Sequence, residues 1–138
     1  MSTDISMQTT NYQVGDRSWL LAEPDYKPNV TLDITKFTAG THYSNGYIPS
    51  GTVIGKITAS GLFGPYDPGA SDGRETAYGL TYGDVRAVRQ DGSTAAKVGT
   101  GAVVYDAVVS ASKLPFQSGA GSIDAAGKAA LAQIRWEA

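Results

Sequence analysis

Apolar and polar positions alternate most clearly between Val30 and Thr35, where Val30, Leu32 and Ile34 interleave with Thr31, Asp33 and Thr35. That is the period-two pattern of a strand buried on one face. A second run, Thr52 to Thr58, is dominated by β-branched residues and interrupted by Gly55, which predicts a partly buried strand with a bulge or a close backbone approach. Pro49-Ser50-Gly51 ahead of it is a turn signal. Gly61, Gly64, Pro65, Pro68, Gly69 and Gly73 then punctuate a loop before β character resumes from Thr76 to Tyr82. Val85 to Arg89 continues the alternation up to Gln90-Asp91-Gly92-Ser93, whose Asp-Gly step predicts a hairpin turn, and Asn45-Gly46 is a further turn signal. Ala102 to Val109 is the most continuous apolar run, and its valines favour a strand. Asp106 in its middle is expected at a solvated edge or in a hydrogen bond to a neighbouring loop, because a buried carboxylate needs partners.

Near the C-terminus the period changes. Ile123, Gly127, Ala130, Leu131 and Ile134 fall on one face at helical spacing, with Ser122 or Asp124 available as cap. Gly127 costs about 1 kcal/mol relative to Ala in a helix interior, so the helix must be held by packing, for which Ala126, Gly127 and Ala130 offer a small-residue face. Ile134 to Trp136 fits a last strand or a continuation of the helix. At the other end, Met1 to Asp16 is rich in Ser, Thr, Gln and Asn and holds too few large apolar residues to bury much surface. It is expected to be a disordered arm. From Ser18 onward the apolar cluster Trp19-Leu20-Leu21 and the prolines Pro24 and Pro28 predict an extended approach to the domain. The organisation expected is an arm over 1–18 and a single domain over 19–138, mainly β (α+β), with one short C-terminal helix.

Composition narrows the function more than the fold. The 138 residues include no cysteine, which excludes disulfides and thiolate metal sites. The net charge is -2 and the 11 basic residues are scattered, so nucleic acid is not an expected partner. Gly reaches 17 of 138 residues while charged residues make up only 17%, against a usual charged share of about 25%. Such a surface suits contact with protein. No run approaches the roughly 20 apolar residues that span a bilayer, and the N-terminus shows no secretory pattern; both point to the cytosol or a particle assembled there.

The candidate chemistry is thin. His42 is the single histidine and stands in a turn-rich segment, where a surface or hydrogen-bonding role fits better than a triad or a zinc site. Asp67, Asp72 and Glu75 lie in the glycine-rich loop, but their spacing fails the calcium loop and turn formation accounts for them. Gly99-Thr100-Gly101 and Gly127-Lys128 lack the working residues of phosphate-binding loops. Tyr43, Tyr47, Phe63 and Tyr66 crowd turn-rich segments and are expected to cover the sheet end or to form a protein interface. No catalytic residue, metal or cofactor is expected.

Taken in order, GTVIGKIT, the aromatic YDP loop, SDGRETAYGL and the late alanine-rich segment resemble the head decoration proteins of lambda-like tailed bacteriophages. The resemblance runs from about Val30 to Trp136 and is strongest over Ile48 to Thr58 and Ser71 to Tyr82. It implies a compact β-rich domain of the β-tulip kind that is not an enzyme. It further implies a homotrimer bound to the major capsid protein on the outer surface of the expanded head, at threefold and quasi-threefold positions, stabilising the shell against genome pressure. In such proteins the arm is flexible when free and becomes ordered against the shell. Here Gln8, Thr9, Thr10, Asn11, Tyr12, Gln13 and Val14 form the matching stretch, β-compatible and without proline or charge, so able to add to an exposed sheet edge. The competing class is a β-rich glycan- or receptor-binding appendage using Tyr43, Tyr47 or Tyr66. A small hydrolase built on Asp67, Asp72 or His42 is a third.

Overall fold

The computed structural model describes residues 16–137. Ten strands form three sheets, in keeping with the mainly β expectation. β2 (Asn29–Asp33), β4 (Val53–Lys56), β5 (Phe63–Pro65), β6 (Gly79–Thr81) and β8 (Lys97–Val103) close into a barrel in the order β2-β5-β4-β6-β8. All its pairings are antiparallel except β2 with β5, which meet in parallel at Leu32 and Phe63. A three-stranded sheet is built from β1 (Leu20–Ala22), β9 (Ala107–Ser110) and β10 (Ile134–Glu137), with β9 central. β3 (Tyr47–Ile48) pairs with β7 (Val85–Arg86).

Side chains alternate across a strand, and the barrel wall uses both faces. In β4, Val53 and Ile54 are both fully buried but belong to different cores, and so do Ala102 and Val103 in β8. One core gathers Val30, Leu32, Ile54, Phe63 and Ala102 from the barrel strands, with Ile48 and Val85 from the β3-β7 pair. The other lies between the barrel wall and the three-stranded sheet, where Val53, Leu80 and Val103 meet Val109, Leu131, Ile134 and Trp19. β2 has only one such face: Val30 and Leu32 are buried while Asn29 and Thr31 are exposed, as its alternation predicts.

The continuous run Ala102 to Val109 is not one strand. β8 ends at Val103 and β9 begins at Ala107, and Asp106 between them is exposed in the left-handed region at φ 55°. Aspartate tolerates that conformation, so the residue that interrupts the apolar run is the corner. Val88 bridges Thr94 and the Arg89 amide closes what lies between on the Ser93 carbonyl, as the Asp-Gly signal predicts. The last strand, left open by the sequence, is β10.

Among the described residues two α-helices are present where one was expected. α2 (Ala125–Ala130) is capped by Asp124, whose Oδ1 accepts from the Gly127 amide at 2.7 Å. Of its small residues only Gly127 is buried; Ala126 and Ala130 face solvent, because a helix this short turns only one line of contact inward. α1 (Ala39–His42) is a single turn, too brief for a hydrophobic period to register.

Gly55 is a close-approach position: a Cβ there would stand 2.7 Å from Arg74 Cα and 2.8 Å from its carbonyl oxygen. Neither backbone atom can yield without moving the loop that crosses β4. Gly55→Ala is therefore expected to destabilise the domain by about 2 kcal/mol or more, whereas Gly83→Ala, with nothing within 4 Å, should stay within about 0.5 kcal/mol. Urea unfolding of the two variants tests the contrast, and equal midpoints would refute it.

Candidate functional site

The described chain begins at Asp16, and its first turns are firmly seated. The Ser18 amide donates to Asp16 Oδ1 at 2.9 Å, and this bond holds the Asp16 carboxyl below the usual aspartate range. Trp19 is almost wholly buried in the core between barrel and sheet. Its indole Nε1 donates to Ser50 Oγ at 3.1 Å, Ser50 Oγ donates to the Tyr82 carbonyl at 2.6 Å, and the Ser50 amide donates to Asp84 Oδ1 at 2.7 Å. The ring lies on Gly51, which has φ +92° and where a Cβ would come within 2.8 Å of Nε1. Pro49-Ser50-Gly51 is thus a turn, as its composition indicates, and also the seat of the tryptophan.

Tyr82 completes this base. Arg17 and Lys27 stand over its ring at 4.6 and 4.7 Å. Its hydroxyl donates to Glu23 at 2.9 Å, a bond that holds the Glu23 carboxyl below its usual range. The sequence contained no signal for Tyr82, because its partners come from segments 55 to 65 residues away.

From this seat β1 runs antiparallel to β9. The Ser110 amide donates to the Trp19 carbonyl at 2.8 Å, and Ser110 also lies opposite Glu137 in the parallel pairing with β10. Trp19, Ser110 and Glu137 therefore form one row across the sheet, so the chain enters at the same end at which β10 finishes. The pairing of β1 shifts register between Leu20 and Ala22, and Leu21, at the irregularity, is exposed. Gln8, Thr9, Thr10, Asn11, Tyr12, Gln13 and Val14, the stretch expected to make the external contact, lie outside the described residues.

The residues weighed for chemistry all hold structure. His42 is buried: its Nδ1 accepts from the Thr38 amide at 2.8 Å, which leaves Nε2 to donate to the Ala120 carbonyl at 2.9 Å. Phe37 and Phe116 meet its ring edge to face. Of its two expected roles the hydrogen-bonding one is realised and the surface one is not. Asp67 accepts from the Gly69 amide, Glu75 from the Gly73 amide, and Asp72 pairs with Arg74 at 3.0 Å. These are the turn-forming bonds the composition predicts. No group of three or more potential ligands gathers among the described residues.

The tyrosines depart from expectation. Tyr43, Phe63 and Tyr66 are core residues, and only Tyr47 of that set is half-buried. A stacking surface on Tyr43 and Tyr66 is therefore not available. Tyr66 donates its hydroxyl to Asp124 Oδ1 at 2.7 Å, the same oxygen that caps α2. Burial first, then this bond to a carboxylate, pushes the Tyr66 phenol up to about 12. Asp124 is held low by the Gly127 amide first and by Tyr66 second.

Compared with known proteins, the chain matches over residues 25–135 the family model described as bacteriophage lambda head decoration protein D. No curated protein and no solved structure matches it.

The shared acceptor at Asp124 makes a test of the packing around α2. Asp124→Ala removes the cap and strands the Tyr66 hydroxyl, an expected loss of about 2 kcal/mol at pH 7. The folded pKa lies below the ordinary 3.8, so the part of this contribution that depends on the charged carboxylate is complete above that value and is lost as pH falls through the lowered one. Denaturant titrations should show the gap between wild type and Asp124→Ala closing in acid. A gap that shows no narrowing at any acid pH below the ordinary aspartate range would contradict the assignment.

Proposed function

We propose that this chain, which belongs to the bacteriophage lambda head decoration protein D family, binds the outside of the expanded phage head as a homotrimer at threefold and quasi-threefold positions and stabilises the shell. Head decoration itself follows from the family, and a head decoration protein is a structural part of the virion capsid. The observation that carries the reading is the family match across residues 25–135. Among the described residues His42, Asp67, Glu75 and Tyr66 take part in turn, cap or core contacts.

The mechanism is linkage. A protein that binds the expanded shell but not its ruptured form stabilises the bound state, by about 2.7 kcal/mol per site at a free concentration about 100 times the dissociation constant. Repeated over many sites, modest adhesion resists internal pressure. A trimer carries three arms, and once one is engaged the others bind at high effective concentration. The arm, over 1–18 with Gln8 to Val14 as the contacting stretch, adds to a free edge of the capsid protein by backbone pairing, while the domain over 19–138 remains a rigid body.

Deletion of Met1 to Gln13 is expected to leave the fold and the trimer intact and to abolish attachment to cognate capsids. Co-sedimentation with expanded and unexpanded heads, followed by heating of the particles, reads the outcome. Selective attachment of the full chain to expanded heads, with a gain in heat resistance, supports the function; undiminished attachment by the truncated chain refutes the arm.

A further inference from the structure

A head-to-tail trimer needs two different patches on each subunit, one the complement of the other, and two such patches are present. The first is the loop between β1 and β2. Leu21 and Tyr26 are the only exposed large hydrophobic residues among those described, at 52% and 59%, and they flank Glu23-Pro24-Asp25. The loop is set in shape: Pro24 is buried, Lys27 Nζ donates to the Pro24 carbonyl at 3.2 Å, and the same ammonium pairs with Glu23 at 3.5 Å. With Glu23 engaged by Lys27 and Tyr82, Asp25 is left exposed and forms no ion pair with the described residues. The Tyr26 ring leans on Tyr105, their centroids 6.3 Å apart, so an exposed ring and an exposed carboxylate are carried on a scaffold that pays little ordering entropy on docking.

The second patch is an open groove of about 670 Å³ on the β3-β7 side. Val88, Asn45, Tyr47, Arg86 and Arg89 line it, with the buried Tyr43 at its floor; no carboxylate does. Arg86 lies 5.7 Å from the centre of the Tyr47 ring and donates to the Val88 carbonyl at 3.0 Å. Neither arginine makes an ion pair with a described residue. The groove therefore presents two guanidiniums beside an aromatic ring, Arg89 acting also on the Asp91 carboxylate of its own turn, an arrangement suited to an aromatic residue with an adjacent carboxylate.

We propose that the Glu23–Tyr26 loop of one copy docks in the Arg86/Arg89 groove of a second copy, Tyr26 entering beside Tyr47 and Asp25 meeting the guanidiniums. The inference rests on the trimeric reading above and names the contact that closes the ring. The occupant is another copy of this chain because the chain itself carries the matching charge and the exposed ring, on segments that share no residue with the groove.

The test uses the full-length chain, with mass measured by sedimentation across concentration. Asp25→Arg, and separately Arg86→Glu with Arg89→Glu, should each weaken assembly roughly tenfold or more by placing like charges together. The protein carrying all three changes should recover it. Because the chain has no cysteine, Tyr26→Cys with Tyr47→Cys should give intermolecular disulfide-linked species under oxidation. Unchanged circular dichroism and a retained cooperative unfolding transition in the monomeric variants separate lost assembly from lost folding, since loss of the trimer by itself lowers the melting temperature. A wild-type trimer that ignores all of these changes, or one broken by the single-sided changes but neither rescued by the swap nor cross-linked, overturns the contact and leaves the trimer standing. A wild-type chain that is monomeric at every concentration overturns both.

Discussion

The structure depends on strands that are buried on both sides. Val53 and Ile54 are neighbours in β4, yet one packs toward the three-stranded sheet and the other into the barrel, and Ala102 and Val103 repeat the arrangement in β8. A wall of this kind must be apolar on both faces and thin. It leaves no room at Gly55, where the Arg74 backbone crosses, or at Gly79, where a Cβ would meet the Val103 carbonyl at 2.6 Å. The buried polar groups at its end are paired with one another: the Thr52 amide donates to the Thr81 hydroxyl, and both threonine hydroxyls donate to the Pro49 carbonyl. Everything else, including the seat of Trp19 and the packing of α2, is hung on that wall.

The same wall explains what could be read from the sequence. Where a strand has one wet face, as β2 does, alternation located it and named its core residues. Where both faces are dry, the pattern becomes a plain apolar run that marks burial but not its limits, and Ala102 to Val109 hid a corner at Asp106. Local signals worked at short range: Asp124 as cap, Asp-Gly as hairpin turn, Gly55 as close approach. Partnerships across the chain did not. His42 looked like a turn residue because its fixing contacts include Ala120 and Phe116, more than 70 residues away. Tyr66 sits among prolines and glycines, yet its ring fills the core because a helix 58 residues later supplies its acceptor.

The candidate site divides in a similar way. The family was legible from the order of several short strings, none of them distinctive alone, and the match over residues 25–135 agrees with it. The seat of Trp19 was not legible, since Trp19, Ser50 and Tyr82 meet only after three segments fold together. Adhesion asks little of any single residue and therefore leaves no motif. It asks for rigid presentation, and the polar side chains that a sequence reader would test for catalysis are here spent on rigidity.

The row formed by Trp19, Ser110 and Glu137 has a mechanical meaning. A load arriving through the N-terminal segment reaches a bulky indole lodged between barrel and sheet before it reaches β1. Extracting that ring would break its bond to Ser50 and lift it off the Gly51 turn together, after the Asp16–Ser18 bond and the Arg17–Tyr82 contact ahead of it had given way. The indole is thus an anchor set behind the wall, ahead of the short strand β1.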